Sequence, residues 1–316
     1  MSEMRFNPLD HPICLTLPKR LAPSTWIQHV PFAMYLIDAL RPRVFVELGT
    51  FYGVSYCAFC QAVKELQLDT RCFAIDTWQG DPQGGFFGHE VLADLKEHHD
   101  PLYSQFSELI PSSFSEALDR FAPSSVDLLH IDGFHTYEAV KNDFDTWLPK
   151  MSERGVVLFH DIAVHENDFG VWRLWQELKT KYPSYEVSFG FGLGVIATGD
   201  KYPQSLSALF EASGAELDQI REYFYQLGLR VELAQEFNAY KRSIAEAELA
   251  ALARAKQLKT DHPYLTRASN LFQLWASEGL SSALRAVQSK LGGSHPQEPG
   301  PPSDTSAQPA PATSKL

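Results

Sequence analysis

Short apolar runs that close on an acid or a glycine recur along the first part of the chain, and stretches with helical periodicity separate them. The runs are 44-VFVELG-49, 71-RCFAID-76, 126-VDLLHID-132 and 155-GVVLFHD-161, with a shorter one near 106-FSELI-110. Between them lie 54-VSYCAFCQAVKEL-66, 89-HEVLADLKEHH-99, 113-SFSEALDRF-121, 136-TYEAVKNDFDTWL-148 and 171-VWRLWQELKTKY-182; 25-TWIQHVPFAMYLIDAL-40 precedes the first run. Strands apolar on both faces are buried on both faces, and parallel neighbours need crossover helices of this length. The alternation predicts an α/β fold over residues 25–200: a doubly wound, mostly parallel, seven-stranded sheet. Its last two runs, 184-SYEVSF-189 and 193-LGVIAT-198, are joined by 190-GFG-192, which predicts an antiparallel hairpin at one edge. Ligands of such sheets bind beyond the carboxyl ends of the strands, where the strand order reverses.

Composition narrows the ligand. Lys and Arg number 27 against 39 Asp and Glu, a net charge of -12. With no long run of cations, phosphate-tracking contacts are missing, so nucleic acid is not an expected partner and a small molecule or glycan is. Cys57 and Cys60 form a CxxC inside a helical stretch without a second ligand pair at metal spacing, and read as small apolar residues of a reduced protein. No apolar run reaches the roughly 20 residues of a spanning helix, and 1-MSEMRFNPLDHP-12 has no signal-peptide core; a cytoplasmic location is expected. Residues 1–24 read as an extension. After Asp200 the chain turns rich in Ala, Glu, Leu and Arg, and 201–291 reads as a helical arm, with Ile220, Phe224, Leu227, Val231 and Ala234 at three- and four-residue steps. Such an arm offers a surface for a homo-oligomer or another protein. The Pro- and Ser-rich 292–316 reads as a disordered tail.

The strand ends carry the chemistry. In 47-ELGTFYGVS-55, Gly49 and Gly53 permit a tight turn and close backbone approach, and the following helix offers free N–H groups. Glu47 would repel a pyrophosphate but pair with an ammonium. Asp76 ends the next strand at the position of a ribose-binding acid. Together these favour a nucleoside with a cationic appendage over a dinucleotide.

The segments 46-VELGTFYGVS-55, 74-AIDTWQGDPQGGFFG-88, 128-LLHIDGFHTYEAVKNDFDTWLPKMSERGVVLFHDI-162 and 171-VWRLWQEL-178 resemble the class I S-adenosylmethionine-dependent methyltransferases, in particular the bacterial group related to macrocin-type sugar O-methyltransferases of surface-polysaccharide biosynthesis, often fused to glycosyltransferases. The resemblance implies a Rossmann-like methyltransferase domain with S-adenosylmethionine as cofactor. It also implies that Glu47 and the turn from Gly49 and Thr50 to Gly53 and Ser55 hold the methionine part, that Asp76 holds the ribose, and that Trp78 and Ser113 lie near the adenine. A glycosyltransferase partner for the arm follows from the same resemblance.

Asp132, His160 and Asp161 end neighbouring strands, a set able to hold magnesium or manganese and lower the pKa of a substrate oxygen. His135 is the candidate general base, with Asp132 and Asp161 as its catalytic partners; helix capping is the alternative. Ile162 stands where catechol-type enzymes of this superfamily carry an amide ligand, so either His160 takes that place or the site holds no metal. His130 reads as a hydrogen-bonded core residue, 97-EHHD-100 as a solvated loop, and Trp147, Trp172 and Trp175 as core. The loop 79-QGDPQGGFFGHE-90 is either a lid or a turn whose Phe86 and Phe87 plug the core. A non-catalytic cofactor-binding scaffold remains the alternative function; the lack of GxSxG argues against a hydrolase.

Overall fold

The computed structural model describes residues 6–81, 85–261, 263–279, 282 and 285. Two compact units divide the chain, Met1–Tyr240 and Lys241–Leu316. Among the described residues, nine strands lie in the first: β1 (Val44–Leu48), β2 (Arg71–Asp76), β3 (Gly80–Asp81), β4 (Gly85–Phe86), β5 (Ser107–Pro111), β6 (Val126–Ile131), β7 (Met151–His160), β8 (Ser184–Val187) and β9 (Leu193–Ala197). Seven form one sheet in the order β5-β2-β1-β6-β7-β9-β8, while β3 and β4 make a separate two-stranded ribbon. The pairs β2–β5, β1–β2, β1–β6 and β6–β7 are parallel; β9 runs antiparallel to both β7 and β8. The expected edge hairpin is therefore present. Strand order reverses between β1 and β6, whose carboxyl ends diverge into separate loops.

The helices are α1 (Val30–Leu40), α2 (Val54–Glu65), α3 (His89–Tyr103), α4 (Phe114–Ala117), α5 (Tyr137–Trp147), α6 (Val171–Leu178), α7 (Gln204–Glu211), α8 (Gly214–Asp261) and α9 (Pro263–Glu278). Side chains alternate across each strand, so the sheet feeds two cores. Phe45, Leu128, Val156 and Leu158 pack with Phe32, Leu36, Phe59 and Leu95 on one face. Val46, Leu48, Leu129, Val157 and Phe159 pack with Phe144, Trp147 and Trp175 on the other. At the amino end of the sheet, buried Asp127 accepts three bonds from Arg43 and one from Ser152.

Local chemistry moved several element ends. Pro31 sits in the first turn of α1, so the stretch from residue 25 begins as a 3-10 turn, Ile27–His29, and the α-helix starts at Val30. The stretch 113–121 is the short α4 followed by a 3-10 turn, Leu118–Arg120. The stripe Ile220, Phe224 and Val231 of α8 is buried in the first core beside Phe32 and Tyr35, with Leu206 and Leu209 of α7. In the second unit, the described residues of α8 and α9 are mostly exposed, among them Leu249, Leu252, Leu258, Phe272 and Trp275. The tail 292–316 and most of 280–291 lie outside the described residues. Among the described residues no helix is long and apolar enough to cross a membrane.

Candidate active site

Glycine decides how closely the ends of β1 and β6 approach. Gly49 has φ +86°, and a Cβ there would stand 2.0 Å from the Asp132 carbonyl oxygen. Its N–H donates to Ile75 O at 2.9 Å, and Asp132 N–H donates to Leu48 O at 2.8 Å, so β2, β1 and β6 are stitched together just past their ends. Gly53, φ +72°, caps α2; its N–H closes the turn on Thr50 O at 2.7 Å. Asp76 holds the turn from the side: Oδ2 accepts from Thr50 N–H (2.8 Å) and Phe51 N–H (3.0 Å), and Oδ1 from Trp78 N–H (2.7 Å).

These groups border a cavity of about 680 Å³ at the reversal point of the sheet, a volume typical of small-molecule sites. Gly49, Thr50, Gly53, Ser55, Asp76, Ser113, Asp132, His135 and Asp161 all line it. Glu47, Trp78 and His160 do not. Glu47 lies behind the wall, fully buried; Oε2 accepts from His130 Nδ1 at 2.9 Å, and Oε1 has no hydrogen-bond partner among the described residues. Burial raises its pKa above the ordinary carboxylate value. Trp26 Nε1–H donates to His130 Nε2 at 3.1 Å; an indole only donates, so the His130 proton sits on Nδ1 and points at Glu47. His130 is thus the buried, bonded residue its strand position suggested. Trp78 turns inward, its Nε1–H on Phe51 O at 3.0 Å, and Thr77 takes its place at the cavity wall. Ser113 caps α4 in a reciprocal box with Glu116.

His160 is buried between an acid pair and a carbonyl. Its Nε2 donates to Gly190 O at 3.0 Å, while Nδ1 faces Asp132 Oδ1 at 3.4 Å and Asp161 Oδ1 at 3.3 Å. Two carboxylates beside Nδ1 favour the protonated, cationic ring. Burial would lower its pKa, but the two carboxylates outweigh burial and push it up to about 10. Burial likewise opposes the ionised form of Asp132, yet the His160 charge and the bonds from His135 and His160 hold it well below the usual range. His135 Nε2 lies 2.9 Å from Asp161 Oδ2 and 3.7 Å from Asp132 Oδ1, and its ring stacks on Phe169 at 4.5 Å. Against the effect of burial, the same acids raise His135 to about 9. The two acids thus favour the cation of an imidazole expected to titrate near neutrality, and His135 must release a proton before it can accept one.

Ligand atoms of Asp132, His135 and Asp161 lie within 4.8 Å of one another, a set that fits a divalent cation. His135 completes this set, while His160, expected as a ligand, bonds Gly190 O through Nε2 and turns Nδ1 toward the same two acids. Other expectations resolve by burial. His99 of 97-EHHD-100 is buried and bonded to Ser107 and Asp100. Cys57 and Cys60 are buried thiols of α2. Trp147 and Trp175 are core residues, but Trp172 is half-buried and donates to Phe169 O, bracing the residue under His135. Phe86 points outward, 78% exposed, whereas Phe87 lines the cavity against Phe51. Trp26, Phe169 and Gly190 escaped the sequence reading because their partners lie far along the chain.

Residues 46–162 match a family model described as a methyltransferase domain. An uncharacterised protein of Sinorhizobium fredii, y4gI, is 50% identical over 186 residues, 59% of this chain. The chain spans 20% of that relative's length. Among solved structures, the O-methyltransferase TomG of Streptomyces achromogenes, in complex with S-adenosylmethionine, is 17% identical with a TM-score of 0.43, covering 63% of this chain and 100% of that one. The methyltransferase PaMTH1 of Podospora anserina is 13% identical with a TM-score of 0.41, covering 54% and 77%. Every candidate site residue from Glu47 to Asp161 falls within 46–162, the stretch that matches the methyltransferase-domain model.

Proposed function

We propose that this domain transfers the methyl group of S-adenosylmethionine to a sugar hydroxyl, on a nucleotide-sugar or a surface glycan. One observation carries the reading: the Asp132, His135 and Asp161 cluster opens into the same cavity as the glycine turn and Asp76. The turn and Asp76 would seat the nucleoside, with Ser113 at the cavity wall. Ser55 at the wall, with Glu47 buried behind it, suits the amino-acid end.

In the transfer, the acceptor oxygen forms a bond to the methyl carbon as the sulfonium–methyl bond breaks, leaving S-adenosylhomocysteine and a methyl ether. The hydroxyl proton passes to His135 Nε2 once that ring has released its own, with Asp161 steadying the imidazolium that re-forms. The fixed His160 charge keeps Asp132 and Asp161 ionised without lending either a proton. Much of the rate would come from holding acceptor and methyl carbon in line. Where Asp132, His135 and Asp161 instead hold magnesium or manganese, the ion's charge would lower the pKa of an acceptor hydroxyl, and His135 would serve as ligand rather than as base.

Calorimetric titration with S-adenosylhomocysteine, with and without magnesium, tests the cofactor assignment. Micromolar or tighter binding is expected. No heat and no thermal shift would reject it.

A further inference from the structure

Two phenylalanines at the mouth of the cavity have backbones that phenylalanine disfavours. Phe51 has φ +51° and Phe191 has φ +66°, the left-handed region in which a ring-bearing residue is an outlier. Such conformations persist where the surroundings over-determine them, and both are pinned. Phe51 gives its N–H to Asp76 and its carbonyl to the Trp78 indole. Phe191 accepts from Ala163 N–H, and the preceding Gly190 carbonyl accepts from both His29 and His160. The strain does not serve burial. Phe51 is 39% exposed and Phe191 51%, and Phe134, beside His135, is 37% exposed. All three line the cavity. Glycine or asparagine would satisfy either strained backbone more cheaply, so what distinguishes phenylalanine here is an apolar face offered to whatever enters.

Charge narrows that visitor further. Among the described lining residues none is Lys or Arg, whereas Asp76, Asp132, Asp161 and Glu166 are acids. His135 is paired to Asp161, and the Thr50 and Phe51 amides already donate to Asp76. On the lining side chains alone the four acids outnumber His135, so a phosphate or pyrophosphate would meet a net negative wall with no guanidinium or ammonium fork to receive it.

Building on the methyltransferase reading above, we infer that the acceptor is an uncharged hydroxylated ring, such as an unphosphorylated sugar of a glycan or glycoside. Its apolar face is received by Phe51, Phe134 and Phe191, and sugar phosphates and nucleotide-sugars are rejected. The surviving half of the substrate proposal is then the glycan.

The test supplies S-adenosylmethionine with three matched sets, p-nitrophenyl glycosides, the corresponding sugar 1-phosphates and the corresponding nucleoside-diphosphate sugars, and measures S-adenosylhomocysteine released. Turnover is expected with the glycosides alone. With a responding glycoside, Phe191→Gly is expected to raise KM about tenfold while changing kcat less than about twofold, the signature of lost uniform binding. Its affinity for S-adenosylhomocysteine should be unchanged. Its melting temperature should rise by about 2 °C or more, because glycine relieves the strain; a loop residue with no acceptor contact would show that rise and leave KM alone. Comparable kcat/KM for the phosphorylated sets, an unchanged acceptor KM or a lowered melting temperature in Phe191→Gly would each overturn the inference. Turnover of no set by protein that binds S-adenosylhomocysteine would overturn it too, leaving the cofactor assignment standing; failure to bind S-adenosylhomocysteine would sink both.

Discussion

Gly49→Ala asks whether the close approach of β1 and β6 is as demanding as the site requires. The new methyl carbon would stand 2.0 Å from Asp132 O, 2.6 Å from its carbonyl carbon and 3.0 Å from Gly133 Cα. Carbon–oxygen contacts close to about 3.3 Å, so the end of β6 must retreat by about 1.3 Å. That movement breaks or stretches the 2.8 Å bond from Asp132 N–H to Leu48 O, worth about 1 kcal/mol. Alanine at φ +86° adds about 1–2 kcal/mol, and crowding in a packed region about 1–3 kcal/mol more. A loss of about 3–6 kcal/mol is expected, seen as a drop of about 10 °C in melting temperature for a domain of this size. Asp132 would also leave its place against His160, and a misplacement of about 1 Å can cost about a hundredfold in rate. Thermal melts, titration with S-adenosylhomocysteine and turnover on a responding acceptor measure all three. Wild-type melting temperature and cofactor affinity in Gly49→Ala would refute the reasoning.

Asp76→Ala removes the acceptor of three backbone donors in and beside the glycine turn, and should weaken S-adenosylhomocysteine binding by about thirtyfold, or about 2 kcal/mol; unchanged affinity would exclude Asp76 from the cofactor seat. Asp132→Ala and Asp161→Ala should spare that binding and abolish turnover, and activity surviving in Asp132→Ala would discard the acid–base assignment. The pH profile has a defined sign. With pKa values raised from 6.5 to about 9 and about 10, His135 and His160 contribute stability that is complete below 6.5 and lost as pH climbs through 9 to 10. Asp132 and Asp161 are held low, so their share is lost on acidification below 3.8. Melting temperature should therefore fall on both sides; a curve flat from 6.5 to about 10.5 would show that the imidazolium is not stabilising.

What the sequence disclosed, it disclosed through local rules. Apolar runs bounded by turns located the strands of the main sheet, and an acid or glycine at a strand end is visible without a fold because core strands have no use for one. That signal marks Gly49, Asp76, Asp132 and Asp161, all of which line the cavity. What stayed hidden needed contacts between distant residues. Trp26 and His130 lie 104 positions apart, His160 and Gly190 30 apart, and no period links them. Strand-end spacing placed His160 beside Asp132 and Asp161 but could not reveal that its other nitrogen meets the Gly190 carbonyl. The positive φ of Phe51 and Phe191 left no trace either, since glycine is the usual marker of that backbone and neither residue is glycine. The stripe Ile220, Phe224 and Val231 was legible as a stripe, but periodicity says only that a face is covered, and the cover proved to be the main core.

That cover sets where the molecule can be cut. Phe224 packs against Phe6, Phe32 and Tyr35; Gln28 bonds Glu232, Gln235 bonds Ala22 O, and Arg230 bonds Leu15 O. A fragment ended at residue 200, where the sheet finishes, would bare the aromatic side of α1 and release the N-terminal turns that rest on α8. Any transplant or fusion of this α/β module has to carry α7 and the first half of α8 with it, because α8 completes a wall that the N-terminal turns begin.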